Sequence, residues 1–406
     1  MANDEQKPAS RDLKRLALDA AVALGLLVAL GVVFLLDRRS APEENASRAA
    51  RSVTAKTSTG NNRTAPGRAL RLAVTEPEYD DMGQLLSTLG GGYRHTTISF
   101  DDLLKPKRLA SYDVVFLTCG GIPPEWLGER VRGPEGRGVG IAQARPGIVD
   151  AVKKSLREYV GRGGTLYASD WRLELLAIAF PEFFDRPKAG WGEVQTIRAE
   201  VVDPGLQKWL GRSVDLRFDM PAWRPAAFAG KGVITYLQGQ YLDARGTTSV
   251  VPLLVSFPFQ EGMVVFTAFH NEAQNSETER KLLRYLVFTT VVAAEEEKIN
   301  RILVQGGFSP QQRGILRPLA AKEELSDTYV SAKGGHLQFV LGFRHQGATL
   351  RLTVVGPDGQ RHERSGTKTF TLDIPRAVAG SWRYTVTPLA IPYENFPFTL
   401  SIGEKP

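Results

Sequence analysis

The chain has 406 residues, 42% of them hydrophobic and 23% charged, with a formal net charge of +7 and a mean hydropathy of −0.19. These values exclude a disordered polymer and a polytopic membrane protein, and the length leaves room for two globular domains of roughly 100–200 residues each. The charge is uneven: residues 1–36 sum to zero and residues 37–70 carry +4, leaving +3 of the +7 for residues 71–406. The folded part therefore has no electrostatic footprint for nucleic acid. One cysteine, Cys119, excludes an internal disulfide and a cysteine cluster for zinc.

Residues 1–15 form a short polar N-terminus. Residues 16–36, LALDAAVALGLLVALGVVFLL, contain a single charge, Asp19, and from Ala20 onward 17 apolar or glycine residues in succession. About 20 such residues cross a hydrocarbon layer about 30 Å thick. A signal peptide has a shorter apolar stretch and a small-residue cleavage site, whereas this one ends in Leu35, Leu36, Asp37, Arg38 and Arg39. The segment is expected to be a single transmembrane helix, so the membrane is the first partner. Basic residues flank it on both sides, four against five, and charge alone does not orient it. Residues 37–68 hold few large apolar side chains and read as a flexible tether.

From residue 69 strand and helix alternate. ALRLAV (69–74) is followed by Glu76, Pro77 and Glu78 and a helical spacing through Met82, Leu85, Leu86 and Leu89. YRHTTISF (93–100) and SYDVVFLTCGG (111–121) are the second and third strands, and residues 148–160 form an amphipathic helix. GTLYASD (164–170) is the fourth strand and WRLELLAIAF (171–180) the next helix. Strands apolar on both faces, separated by helices, predict an α/β domain of flavodoxin-like, doubly wound parallel type over residues 69–298. Its ligand crevice belongs beyond the carboxyl ends of the strands. Residues 194–269 are richer in strand, and a helix over 276–297 ends in Glu295, Glu296 and Glu297. That acidic ending opposes the helix dipole and predicts a linker at 299–311.

The order of elements, the glycine pair Gly120-Gly121 after strand three, the turn at strand four and His270-Asn271-Glu272 after a late apolar strand resemble the class I glutamine amidotransferases. Within that group the stretch VVPLLVSFPFQEGMVVFTAFHNE (250–272) is similar to ThuA-like proteins. The resemblance implies a nucleophilic Cys on the turn after strand four, served by a His-x-Glu pair. His270 and Glu272 match the pair, but Asp170 stands where the Cys should be, with Ser169 before it. A carboxylate is a much weaker nucleophile than a thiolate towards an amide, so the resemblance does not extend to glutaminase activity. Cys119, flanked by apolar residues, reads as an inert core thiol.

Three roles remain open for Asp170: a cap for the helix 171–180, part of a binding pocket with His270, or an acid–base partner of His270. Trp171 beside it would supply an aromatic wall. Binding-pocket candidates are thus Cys119, Gly120, Ser169, Asp170, Trp171, His270 and Glu272. No two histidines stand at a ligand spacing, so no metal and no cofactor are expected. The loop 128–147 carries six glycines and four arginines and reads as a surface flap able to recognise an acidic partner.

Beyond residue 312, HLQFVLGF, ATLRLTVV, TFTLDIP, SWRYTVTP and FPFTLSI alternate between turns and predict an antiparallel β-sandwich over 312–406, with Trp382 in its core. Through Gly356-Pro357-Asp358-Gly359 and Gly380-Ser381-Trp382 it resembles bacterial pre-peptidase C-terminal domains, which implies that the main domains lie outside the cytoplasm and residues 1–15 inside it. The expectation is a membrane-anchored envelope protein whose degenerate domain binds a carbohydrate or protein ligand. The competing expectation is a ThuA-like enzyme acting on a carbohydrate with Asp170 and His270 as acid and base.

Overall fold

The structure, a computed structural model, describes residues 70–127, 144–185, 190–314, 317–345 and 347–405. The expected anchor at 16–36, the tether at 37–68 and residues 128–143 of the arginine-bearing loop lie outside the described residues. Among the described residues no helix is long and apolar enough to cross a membrane.

Strands β1 (Leu72–Thr75), β2 (His95–Ile98), β3 (Val114–Leu117) and β4 (Thr165–Ser169) begin the chain's main sheet. A two-stranded ribbon, β5 (Phe184–Asp185) with β8 (Ala227–Phe228), lies apart from it. The sheet continues with β6 (Gln195–Val201), β7 (Ser213–Phe218), β9 (Ile234–Leu242), β10 (Thr248–Phe259) and β11 (Gly262–Thr267). Its nine strands run in the order β2-β1-β3-β4-β11-β10-β9-β6-β7. The first five are parallel and the remaining pairings are antiparallel. The doubly wound parallel sheet expected from the sequence is thus confined to one half, and the sheet as a whole is mixed.

The side chains account for the division. In β1, β3, β4 and β11 every residue is buried, as in strands covered on both faces. In β6 and β7 buried and exposed residues alternate, so one face of that antiparallel end meets water. The chain leaves β1 to opposite sides, towards β2 and β3, so the strand order reverses there and a crevice opens at the carboxyl ends. Helices α1 (Met82–Ser87), α2 (Pro106–Leu109), α3 (Ile148–Gly161), α4 (Leu173–Ala179) and α5 (Pro204–Leu210) connect the strands.

Helix α6 corrects the linker expected at 299–311. It runs unbroken from Glu277 to Gln305, 29 residues, opened by a capping box between Ser276 and Glu279. Its first half packs Leu282, Leu283, Tyr285, Leu286 and Val291 into the core of the sheet. Its second half buries Ile299 and Leu303 with Phe308 and Val340. Glu295, read from sequence as a helix-ending acid, is buried and accepts a hydrogen bond from Thr369 Oγ1 at 2.5 Å. Lys298 and Arg344 also lie at 3.3 and 3.6 Å from its carboxylate. Because the helix continues for ten residues beyond it, Glu295 lies outside the last turn, where the dipole would act against an acid.

The remaining strands are β12 (Ser309–Arg313), β13 (Leu325–Ser331), β14 (Gly335–Gly342), β15 (Thr349–Val355), β16 (Arg361–Gly366), β17 (Phe370–Ala377), β18 (Gly380–Ala390) and β19 (Thr399–Lys405). They form two four-stranded antiparallel sheets, β12-β19-β14-β17 and β13-β18-β15-β16. The sandwich has eight strands where the sequence signalled five, and it starts at Ser309. Strand β16, RHERSG, has no apolar face and so gave no alternating signal. Trp382 is in the core, 1% exposed, with its indole N–H donated to the Val378 carbonyl. The sandwich also touches the α/β part directly, where Tyr93 Oη donates to the Asn395 carbonyl at 2.6 Å.

Because α6 is shared by both cores, Leu303→Ala is expected to cost about 2–4 kcal/mol of stability, as for a fully buried leucine. Denaturant unfolding checks this, and a loss below about 0.5 kcal/mol would show residues past 298 to be a passive connection.

Candidate functional site

Four neighbouring parallel strands, β1, β3, β4 and β11, deliver their carboxyl ends to one place. The strand-to-helix turn after β4 is sharp: Asp170 has φ 41°, a left-handed conformation that costs most side chains energy and that Asp tolerates better than most. The turn aims the Asp170 carboxylate back across the strand ends, and three groups meet it there. The backbone N–H of Arg224 donates to Oδ1 at 2.7 Å, and the Cys119 thiol donates to Oδ2 at 3.6 Å. His270 Nε2 lies 3.3 Å from Oδ2, close enough for an ion pair but out of line for a hydrogen bond.

Asp170 therefore does not cap the following helix, as one sequence reading held; neither helical segment after β4 has a side-chain cap. Cys119 is buried as expected but is no apolar bystander, since its thiol faces a carboxylate and an imidazole. The expected pairing of Glu272 with His270 is also corrected. The carboxylate on His270 Nδ1 is Asp219, at 3.1 Å, from the loop after β7. Glu272 points elsewhere and lines a separate pocket, while its backbone N–H donates to Asp80.

Burial alone would hold His270 uncharged, yet Asp170 and Cys119 beside it outweigh that and push its pKa up to about 11. Burial raises the Cys119 thiol, and the imidazole opposes the rise.

Behind this cluster stands a second carboxylate that sequence reading missed. Asp80, buried after β1, accepts from the Asn271 backbone N–H and side-chain amide, both at 2.9 Å, and from Ser169 Oγ at 3.3 Å. Ser169 Oγ in turn accepts the Cys119 N–H at 2.9 Å. Asp80 thus ties together the ends of β1, β4 and β11, and through Ser169 that of β3. Arg172 was missed as well. It is fully buried and donates to the carbonyls of Thr118 and Gly121, each at 2.7 Å, with Phe100 4.2 Å beneath its guanidinium. Gly120 is closely packed here: a Cβ would meet the Glu78 carboxylate and lie 2.6 Å from Arg172 Nη2.

The cluster is closed. Cys119, Asp170 and His270 are 1%, 2% and 5% exposed. Trp171 donates its indole N–H to the Ala222 carbonyl at 2.9 Å, fastening the 219–224 loop over the site. The cavity beside Asp170 and His270 holds about 10 Å³, room for about one water. An open pocket of about 430 Å³ lies nearby, lined by Asp81, Gln84, Glu272, Asn275, Arg280 and Arg284 among others.

Neither protein-family models nor curated proteins give a match to the chain. Among solved structures the chain is similar to a glutamine amidotransferase from Thermotoga maritima, at 12% identity over 58% of this chain and 86% of that one, with a TM-score of 0.32. PurLQS from Thermotoga maritima is similar at 12% identity over 56% of this chain and 99% of that one, with a TM-score of 0.34. A cytoplasmic protein from Salmonella typhimurium is similar at 15% identity over 53% of this chain and 98% of that one, with a TM-score of 0.32. Likeness at this level carries no inference about chemistry.

Burial raises the Asp80 carboxyl to about pH 6 from an ordinary value of 3.8. A group whose folded pKa is raised contributes stability that is present below its unfolded pKa and lost as pH climbs through the folded one. Stability is therefore expected to fall between about pH 4 and pH 6, and Asp80→Asn to flatten that slope while costing about 1–3 kcal/mol at pH 7 through orphaned donors. Urea unfolding across this range, on both proteins, makes the comparison; an unchanged slope in the variant would assign it to another group.

Proposed function

We propose that this protein is a single-span, membrane-tethered envelope component whose α/β domain keeps an amidotransferase-like framework for recognition without glutamine hydrolysis. The observation that carries the reading is the turn after β4. Its residue is a carboxylate already engaged by Arg224, Cys119 and His270, and a cavity of about 10 Å³ admits no amide substrate. The open pocket at the same sheet edge supports binding. Its volume of about 430 Å³ falls within the roughly 300–1,000 Å³ usual for small-molecule sites. Amides from Gln84 and Asn275, with Arg280, Arg284, Asp81 and Glu272, give donors and acceptors of both charges. A small hydroxyl-rich or zwitterionic ligand, such as a saccharide or an amino acid, fits that mixture.

The competing enzyme, with Asp170 and His270 as acid and base, has their 3.3 Å separation in its favour. It requires the 219–224 loop to leave the site first.

Thermal-shift screening against saccharide and amino-acid panels is expected to give ligands whose affinity drops tenfold or more in Arg284→Ala and stays unchanged in Asp170→Asn. Release of ammonia from glutamine by the purified chain would refute the non-hydrolytic reading. The tether is tested separately: protease added to intact cells is expected to remove residues 69–406, and complete protection would place them inside.

A further inference from the structure

We infer that Cys119 Sγ, Asp170 Oδ2 and His270 Nε2 together form a binding site for a zinc ion. No local spacing announces it, because the three ligands come from the ends of three different strands, β3, β4 and β11. Sγ lies 3.6 Å and Nε2 3.3 Å from the same carboxylate oxygen, and all three atoms lie within 4.8 Å of one another. Around a tetrahedral zinc, with bonds of about 2.3 Å to sulfur and about 2.0–2.1 Å to nitrogen and oxygen, ligand atoms stand roughly 3.3–3.6 Å apart. The two measured edges fall in that range, and the third, between Sγ and Nε2, lies within 4.8 Å.

The donor chemistry agrees. Thiolate, imidazole and carboxylate are the zinc set, and one thiolate with one carboxylate neutralises a divalent ion in a buried site. Binding releases the thiol proton and the proton on Nε2 to solvent, leaving a sulfur and a nitrogen lone pair for the metal.

Two further observations point to a ligand. The first is His270 Nε2 itself: it is buried, faces the cluster and has no aligned hydrogen-bond partner. Its contact with Asp170 Oδ2, at 3.3 Å, is out of line for a hydrogen bond, and an ion seated between the two atoms would be aligned with both. The second is the support around the ligands. Asp219 holds Nδ1 at 3.1 Å, the carboxylate–histidine arrangement that fixes the ring of zinc-bound histidines. The Arg224 N–H at 2.7 Å holds the other Asp170 oxygen, Oδ1, leaving Oδ2 for the metal. A zinc ion here would pin the 219–224 loop to the strand ends. The site is separate from the open pocket, so its failure would leave the proposed ligand binding untouched.

The test uses the full chain in detergent after chelation and dialysis. Cobalt(II) is expected to bind one equivalent and to give a thiolate-to-cobalt charge-transfer band with the strong visible bands of a tetrahedral ion. Zinc should displace it, and competition with a chromophoric chelator should give the affinity. Cys119→Ser is expected to abolish the charge-transfer band. His270→Ala and Asp170→Asn should weaken zinc at least 100-fold, and Asp219→Asn about 10–100-fold. Unfolding temperatures in chelator identify any variant that loses its fold, and in that event the wild-type spectrum decides. A wild-type chain without the thiolate band overturns the proposal, and so does a band that survives in folded Cys119→Ser.

Discussion

The constraint on which the rest depends is the left-handed turn at Asp170, where β4 gives way to helix with φ 41°. A strand that ended in an ordinary helix start would point residue 170 along the helix axis, where its carboxylate would cap. The left-handed residue instead turns the carboxylate towards β3 and β11, and every distance in the cluster follows from that. Such a turn persists only where its surroundings over-determine it. Here Ser169 is held by Asp80 and the Cys119 N–H, Asp170 by Arg224, and Arg172 by two carbonyls of the loop after β3.

The same surroundings separate two kinds of site on one sheet edge. The cluster of Cys119, Asp170 and His270 is buried beneath Trp171 and the 219–224 loop, which leaves no room for a bulky substrate. The neighbouring pocket, between α1 and the start of α6, is wide, polar and open. Glu272 belongs to the second although it follows His270 by two residues. The chain turns sharply after His270, and Asp80 fixes that turn by accepting the N–H groups of both Asn271 and Glu272.

Helix α6 makes the α/β part and the sandwich one structure. Its apolar residues face the sheet in the first half and β14 in the second, so neither half is left with an unpartnered face. Buried Glu295, tied to Thr369, Lys298 and Arg344, is the joint. A helix of this length, about 43 Å at 1.5 Å per residue, spans both cores.

The sequence by itself determined the elements whose signal is local. Runs such as VVFL and TLYAS announced strands buried on both faces, the 3.6-residue spacing announced α3 and the start of α6, and Trp382 announced a core. Placing the crevice at strand ends was also legible, since parallel strands leave it nowhere else, and the acidic residues after β1 were a signal that could have found Asp80. Only the tertiary structure decided the partners. Asp219 reaches His270 from the loop after β7, 51 residues away in the chain, and Cys119 meets Asp170 because β3 and β4 are neighbours in the sheet. The far half of α6 was hidden because a helix-ending acid and a buried, paired acid are the same residue in one dimension. Hydrophobic period records which way a side chain faces, whereas ion pairs and ligand sets depend on which strands adjoin, and that is fixed only when the whole sheet closes.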